Sequence, residues 1–471
     1  MQTSTTPIAT PAKLVLIVHA IDTEGPLYES PDATFERLKD LFGITNLEAT
    51  QETLNQLKVQ GIDLGGLEPQ VAEILSGHAA DYMDSWEKLE AMLYRVTSLE
   101  FRNSMPDSFG GGWVYSWHYL DHVGFIDNPR RRDLGFHKVF DRYQKILSPT
   151  SLAIDGEGWH FHPVSTKREA HRCATSYLRS PEFFEILSRK ILERDWFPVV
   201  FRAGFQAERP DSHWLLEQWI PFDITNMALP PDRQESLARD LTGGRSADWR
   251  RAPHDWSVYH PSHDDYQMPG NCRRSIARAL NVLARLGNLN QVEVDRAFAR
   301  ADCGLPTIMG IASHDFRDLG REVEFVRNLI QVSKERYPQV KFKFCSALTA
   351  FREALWPGAS LTPALDFELR FNPASDADVA SLDITTTSGQ VFGPQPFLAI
   401  QTVDGRVFQD NLDFGMVSGE WSYAFHADTI PLEQVAQIGV AANDQYGNSC
   451  VKKINFCDLK NLKIGSDGSR K

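Results

Sequence analysis

Cysteine is scarce in this chain, and its few residues show no pairing pattern. Six cysteines are spread over 471 residues, and none forms a Cys-x-x-Cys pair. Disulfide scaffolds and cysteine zinc sites need cysteines that are dense or closely spaced. The sequence therefore predicts reduced, mostly buried thiols and argues against both classes.

Long apolar runs and long basic runs are absent as well. No segment approaches the roughly 18 apolar residues that a membrane-spanning helix needs. The formal net charge of −13 does not suit binding to nucleic acid. The apolar run at residues 14–18 is short and follows the uncharged start Met-Gln-Thr-Ser-Thr-Thr, unlike a signal peptide. We expect a cytoplasmic protein with no membrane span and no nucleic-acid partner.

One local basic cluster remains, formed by Arg130, Arg131 and Arg132. The usual setting for such a cluster is a solvated loop. The alternative is contact with a phosphate on a nucleotide-linked or lipid-linked substrate. Both interpretations stay open at this point.

The chain does contain ionisable residues at a spacing of two. Residues 158–163 read Gly-Trp-His-Phe-His-Pro. On an extended strand, residues two apart project to the same side, so His160 and His162 could reach one metal ion. A chance pair of histidines in a loop is the alternative.

Two other segments also end in ionisable residues. The apolar run at 14–18 predicts a buried parallel strand and leads to Asp22 and Glu24, again two apart. A second apolar strand, predicted at 307–313, leads to His314. Because α/β folds carry their chemistry at the carboxyl ends of strands, three such ends predict one shared site.

Strand and helix signals alternate from residue 13 to about residue 356, which predicts a parallel sheet or barrel surrounded by helices. Helices are expected at 49–59, 83–94, 182–194, 211–219, 275–286, 292–301, 322–336 and 347–355. The aromatic-rich residues 110–143 are interpreted as part of an insertion that spans about 60–150.

The pattern changes near residue 357. Residues 360–460 contain short alternating runs separated by Gly, Asn and Asp turns, which predict an all-β sandwich domain. Residues 1–12 are expected to be a disordered lead-in, and residues 461–471 a polar tail. If the β domain folds independently, a chain that ends near Pro357 should remain folded.

With these motifs in this order, the chain resembles the NodB-homology polysaccharide deacetylases over roughly residues 13–355. The acidic motif of that family is matched by Asp22 and Glu24, and its histidine pair by His160 and His162. The spacing resembles the His-x-His-Pro variant of bacterial lipopolysaccharide and O-antigen homologues. The resemblance implies a distorted seven-stranded β/α barrel that holds one divalent metal ion, with zinc as the expected identity.

The resemblance also implies roles for individual residues. Asp22 would be the catalytic base, Arg202 would orient it, and His314 would be the catalytic acid. Glu24 would join the two histidines as a metal ligand. Because the usual adjacent Asp-Asp is split here by a threonine, Asp22, Glu24 and Asp155 all stay open as the third ligand.

Each assignment has a structural alternative. Arg202 could simply pair with Glu208, and His314 could cap the helix that follows it. Trp113 and Trp117 could stack on sugar rings as a substrate-binding wall, or they could belong to the core.

The resemblance implies a hydrolase that acts on carbon–nitrogen bonds other than peptide bonds. We expect it to remove an N-acyl group, with acetyl as the leading candidate, from an amino sugar during assembly of a bacterial surface polysaccharide such as O-antigen. The substrate could be linked to a nucleotide or a lipid. The alternative is a catalytically inactive glycan-binding protein on the same barrel.

Overall fold

The computed structural model describes residues 13–75, 81–128, 131–165, 168, 176–234, 247–284 and 287–456. The predicted lead-in, residues 1–12, and the predicted polar tail, residues 461–471, lie outside the described residues. A parallel sheet with its helices extends to Leu355, and antiparallel sheets begin at Asp366.

Seven parallel strands close into a barrel, because each strand pairs with the next and the last pairs with the first. These strands are β1 (Leu14–Thr23), β2 (Tyr115–Asp121), β3 (Gly156–Phe161), β4 (Val200–Ala203), β5 (Phe222–Asn226), β6 (Ser275–Asn281) and β7 (Thr307–His314). An eighth strand, β8 (Lys341–Phe344), pairs with the first half of β1, while β2 pairs with the second half. This topology confirms the predicted α/β barrel.

Helices connect these strands, and several of them pack against the barrel. They are α1 (Pro31–Phe42), α2 (Gln51–Lys58), α3 (Glu68–Leu75), α4 (Trp86–Thr97), α5 (Leu99–Asn103), α6 (Lys138–Ile146), α7 (Pro149–Ile154), α8 (Glu182–Arg194), α9 (Pro210–Trp219), α10 (Gln291–Asp302), α11 (Leu319–Arg336) and α12 (Ala347–Leu355). Several begin at a polar cap whose side chain accepts a backbone N–H three residues on, namely Ser30, Thr50, Ser85, Asn290 and Ser346. In the described part of the chain, no helix combines the length and apolar character that a membrane crossing requires.

The sequence predicts a helix over residues 275–286, and this prediction is wrong. Ser275–Asn281 forms the barrel strand β6, and all seven of its residues are buried. The guanidinium of Arg278 is neutralised inside the fold by Glu293, at 2.7 Å. Burial on both faces therefore overrides the helical propensity of the alanines and leucine in this segment.

The predicted insertion at about 60–150 contains a strand of the barrel itself. Tyr115–Asp121 forms β2, which pairs with β1 and β3. Its aromatic side chains pack in one core with residues of α4 and α6. The aromatic side chains of this segment therefore belong to the core between the barrel and its helices. The described residues between the first two strands form α1 to α5.

The C-terminal part is all-β, as predicted. Its strands are β9 (Asp366–Asn372), β10 (Ser381–Ser388), β11 (Phe397–Thr402), β12 (Val407–Asp410), β13 (Asp413–Phe414), β14 (Glu420–Ala424), β15 (Val435–Asn443) and β16 (Ser449–Asn455). They form two four-stranded antiparallel sheets, ordered β13-β14-β10-β9 and β12-β11-β15-β16. Buried side chains of both sheets share one hydrophobic core.

The barrel and the β part meet through an apolar interface. One core cluster joins Ile191 and Trp219 of the barrel to Phe397, Ala399 and Ala441 of the β sheets. Helix α8 packs so closely on β15 that a Cβ at Gly439 would lie 2.5 Å from a methyl group of Ile191. The β part is thus packed onto the barrel.

Candidate metal centre

The ionisable residues predicted from the sequence meet at one end of the barrel. Asp22 lies near the end of β1 and is level with His314, the last residue of β7. His160 lies near the end of β3 and is level with Arg202 of β4. Parallel strands bring their carboxyl ends to one edge, so the shared site follows from the topology.

Three side chains converge closely enough to hold a metal ion. Glu24 Oε1 lies 3.5 Å from His160 Nε2 and 3.4 Å from His162 Nε2. The two imidazole Nε2 atoms are 3.0 Å apart. Ligand bonds of about 2.0–2.2 Å in a tetrahedral set place neighbouring donor atoms roughly 3.3–3.6 Å apart. The two distances from Glu24 fall in this range and the distance between the two imidazoles is slightly shorter, so the triangle is close to what one divalent ion requires. All three residues are buried.

The surroundings of the two histidines keep them in the form that binds metal. His160 Nδ1 donates to the backbone carbonyl of Arg202 at 2.9 Å, which leaves the lone pair of Nε2 free. Burial lowers the pKa of His160 and of His162 below the usual range. Both rings are therefore neutral at physiological pH, which is the form that binds metals.

Asp22 presents one occupied oxygen and one free oxygen. Its Oδ1 accepts a hydrogen bond from Arg202 Nε at 2.6 Å. Its buried Oδ2 has no hydrogen-bond partner among the described residues. Burial alone would raise the pKa of Asp22, but the charge of the Arg202 guanidinium holds that pKa below its usual range. Asp22 is therefore an ionised carboxylate with an oxygen available to a proton.

Arg202 is fully buried beneath the site. Besides Asp22, its guanidinium donates to the carbonyl of Ile224 at 2.9 Å. The alternative partner, Glu208, is bound instead by Arg274 at 2.7 Å. The guanidinium group of Arg202 is thus held between Asp22 and the carbonyl of Ile224.

His314 is the most exposed member of the group, with 19% of its side chain accessible. Its Nε2 lies 3.7 Å from Asp22 Oδ2 and 3.9 Å from Glu24 Oε1. Burial lowers the pKa of His314 well below its usual value, so the ring is neutral. It does not cap the next helix, because Asp318 does so by accepting from the backbone N–H of Gly320.

Sequence reasoning missed the residue that fixes Glu24. The carboxylate of Asp315 accepts the backbone N–H groups of Glu24 and Gly25, both at 2.9 Å, and the hydroxyl of Tyr143 at 2.8 Å. Burial raises the pKa of Asp315 to about 7. Its position directly after His314 is the one local signal that could have indicated this role.

Two more site neighbours were missed. Arg132 Nη1 donates to Glu24 Oε2, and only 10% of the Arg132 side chain is exposed, so this residue is not in a solvated loop. Arg130, the first member of the cluster, lies outside the described residues. The ring of His122 lies 5.3 Å from that of His162, and neither of its nitrogens has a hydrogen-bond partner within the described ranges.

Trp113 and Trp117 do not form a cleft wall. Both are completely buried. The indole N–H of Trp113 donates to His19 Nδ1 at 3.1 Å, and that of Trp117 to Asp155 Oδ2 at 3.0 Å. Because no face of either ring is accessible, neither ring can stack on a sugar. Both tryptophans belong to the core, which is the alternative that the sequence left open.

Asp155 is also occupied elsewhere. Its two carboxylate oxygens accept a bidentate pair of hydrogen bonds from Arg102, both at 2.7 Å. It also accepts the backbone N–H of Tyr115. Of the three carboxylates left open by the sequence, Glu24 is the one that forms the triangle with the histidines.

Comparison with family models, with curated proteins and with solved structures finds no match to this chain. The function is therefore inferred from the geometry of the site and from the resemblance of its motifs.

Proposed function

We propose that this protein is a metal-dependent hydrolase that removes an N-acyl group, with acetyl as the leading candidate, from an amino sugar. The observation that carries the proposal is the buried triangle of Glu24, His160 and His162, with the free oxygen of Asp22 and the ring of His314 beside it. We further propose that the barrel is of the NodB-homology type and that the metal ion is zinc. A set of two histidines and one carboxylate leaves positions for water and substrate and suits zinc.

Glu24, His160 and His162 would hold the ion. When bound, a divalent metal polarises an amide carbonyl and lowers the pKa of a water molecule toward about 7. Arg202 would keep Asp22 ionised and oriented through Oδ1. The unpartnered Oδ2 of Asp22 would accept a proton from the attacking water as the new C–O bond forms.

His314 would complete the proton transfer. Its neutral ring must first receive a proton, and its Nε2 lies 3.7 Å from Asp22 Oδ2. A proton passed from Oδ2 to Nε2 would then be delivered to the amine nitrogen as the C–N bond breaks. The products would be a carboxylic acid and a free amino sugar.

The glycan-binding alternative would draw affinity from exposed aromatic rings such as those expected at Trp113 and Trp117, and both side chains are in the core. The unpartnered Oδ2 of Asp22 beside the triangle of Glu24, His160 and His162 supports the hydrolase instead.

Release of acetate from N-acetylated amino sugars would test the proposal, using free, nucleotide-linked and lipid-linked substrates. We expect chelation to abolish turnover and added zinc to restore it. Asp22→Asn and His314→Ala should each lower turnover by about 10²- to 10⁴-fold, because each removes a proton-transfer group. Metal affinity, measured in parallel, should stay within a few-fold of wild type. A protein that binds zinc but releases acyl groups from none of these substrates would contradict the proposed activity.

A further inference from the structure

Two arginines that the proposed mechanism does not use lie close to His314, the most exposed residue of the site. The guanidinium carbons of Arg132 and Arg317 lie 5.4 and 5.2 Å from the ring centroid of Phe316. The same ring lies 4.9 Å from that of His314, the most exposed residue of the site. The Phe316 ring thus neighbours both arginines and His314, the proposed acid.

Neither guanidinium group is fully neutralised by the protein. Arg317 forms no ion pair within the described residues, and its buried Nε has no hydrogen-bond partner there. Arg132 has Glu24 as its carboxylate partner, and Glu24 is also a candidate metal ligand. Two like charges against one ring repel each other, and a buried donor without an acceptor is unfavourable. An anion in contact with both guanidinium groups would relieve both effects.

A third arginine, Arg131, directly precedes Arg132 in the chain. The guanidinium carbon of Arg131 lies 4.0 Å from the ring centroid of Tyr28, four residues after Glu24. The chain as a whole carries a net charge of −13. Its long-range field therefore repels anions, so a local group of arginines is what could attract one to this part of the molecule.

We propose that Arg317 and Arg132 bind an anionic group of the substrate, a phosphate or a carboxylate carried on the same sugar as the N-acyl group. The planar guanidinium fork suits both anions. The position beside the scissile amide rests on the proposed hydrolase function. Binding of the anion itself can be measured without turnover.

Calorimetric titration of the full-length zinc-loaded protein would test this inference. The probes are N-acetylglucosamine, its 1-phosphate, its 6-carboxylate analogue and inorganic phosphate. We expect at least one anionic sugar to bind ten-fold or more tightly than the neutral sugar, and this preference to fall as salt is added. The anionic sugar with the higher affinity would show whether the site prefers a phosphate or a carboxylate.

Arg317→Gln should remove most of that preference while the affinities for zinc and for the neutral sugar stay unchanged. Arg406→Gln, at an exposed arginine of the β part, is the matched control and should keep the preference. If Arg317→Gln fails to fold, Arg317→Lys keeps the charge without the fork and should retain part of the preference.

Equal affinities for charged and neutral sugars, or binding of none of them, would overturn the anion site. These results are independent of the proposed activity. A protein that releases acetate from neutral sugars without any preference would refute only the anion site. One that prefers anionic sugars but never releases acetate would refute only the hydrolase.

Discussion

At the scale of single residues, Glu24 is the centre of the candidate site. Its Oε1 faces the two histidines, its Oε2 accepts from Arg132, and its backbone N–H is held by Asp315. A ligand fixed at three points loses little freedom on binding an ion. The protein alone therefore orients Glu24 toward the two histidines.

Replacement of one imidazole tests this directly. His160→Ala removes one of three ligands, so we expect zinc affinity to fall by more than about 100-fold, beyond the effect of losing an outer-shell partner. Competition with a chromophoric chelator would measure the affinity. His263→Ala is the matched control, since its side chain is 75% exposed. Unchanged zinc affinity in His160→Ala would mean that the triangle is not the metal site.

At the scale of elements, the turn after β4 controls where His162 can lie. A Cβ at Gly204 would lie 2.3 Å from the His162 ring and 2.8 Å from its Cα. The next two residues, Phe205 and Gln206, have left-handed φ values of 54° and 50°. Such a backbone is unfavourable for residues with side chains and persists only where the surroundings demand it. The glycine and this tight turn together make room for the second histidine.

Gly204→Ala should therefore displace His162 without removing a ligand. We expect zinc affinity to fall by about 10- to 100-fold, the range for changes that misorient a ligand. Chelator competition again provides the measurement. The control is Gly61→Ala, because its new methyl group would mainly meet the end of the Gln56 side chain. Equal affinity in both variants would show that the turn yields and that Gly204 has no positioning role.

At the scale of the whole molecule, the interface between barrel and β part argues against independent folding. Phe397 packs against Trp219 and Phe197 of the barrel, with ring centroids 5.1 and 5.8 Å apart. The side chain of Asn443 donates to barrel carbonyls at Pro198 and Trp219. Loss of the β part would expose the apolar surface beneath these contacts.

We expect the full chain to unfold in one calorimetric transition. A chain that ends near Pro357 should melt at least roughly 5 °C lower or aggregate, because each large apolar side chain exposed costs about 1.5–3 kcal/mol. Two separate transitions, together with a stable truncated barrel, would restore the expectation of an independent domain.

A point substitution gives the same test without truncation. Phe397→Ala should lower the free energy of unfolding of the whole chain by about 3–5 kcal/mol, as for other buried phenylalanines. Phe414→Ala is the control, because that side chain is 66% exposed and should change stability by less than about 0.5 kcal/mol.

Buried neutral histidines should also make the whole molecule sensitive to acid. Burial lowers the pKa of His19 and of His118 to about 3, from 6.5. Below pH 6.5 the unfolded chain binds protons that the folded chain does not, so stability falls as the pH drops from about 6.5 toward 3. Each such histidine contributes a slope of up to about 1.4 kcal/mol per pH unit.

Urea unfolding of the chelator-treated protein at pH 7.5, 6.0 and 5.0 would measure this slope. We expect a shallower slope for His19→Gln than for wild type, and the wild-type slope for His263→Gln, whose ring is exposed. The same slope in His19→Gln and wild type would show that His19 does not contribute.

Local pattern was enough to predict a parallel sheet or barrel and the strand ends that carry most of the candidate site, while the choice of a barrel came from the resemblance of the motifs. The apolar run before Asp22 and Glu24, and the alternation around His160 and His162, identified strand ends because side-chain direction on a strand follows sequence spacing. Strand ends of a parallel barrel meet whatever the intervening helices are, so the cluster could be predicted without coordinates. The all-β character from Asp366 onward followed in the same way.

Only the tertiary structure decided which side chains are buried and what they contact. Arg132 and Asp315 reach Glu24 from 108 and 291 residues away along the chain. The burial of Trp113 and the strand that contains Arg278 were not predicted for the same reason, because both depend on contacts with other segments of the chain. At these positions burial and ion pairing depend on contacts between remote segments, which local periodicity does not reveal.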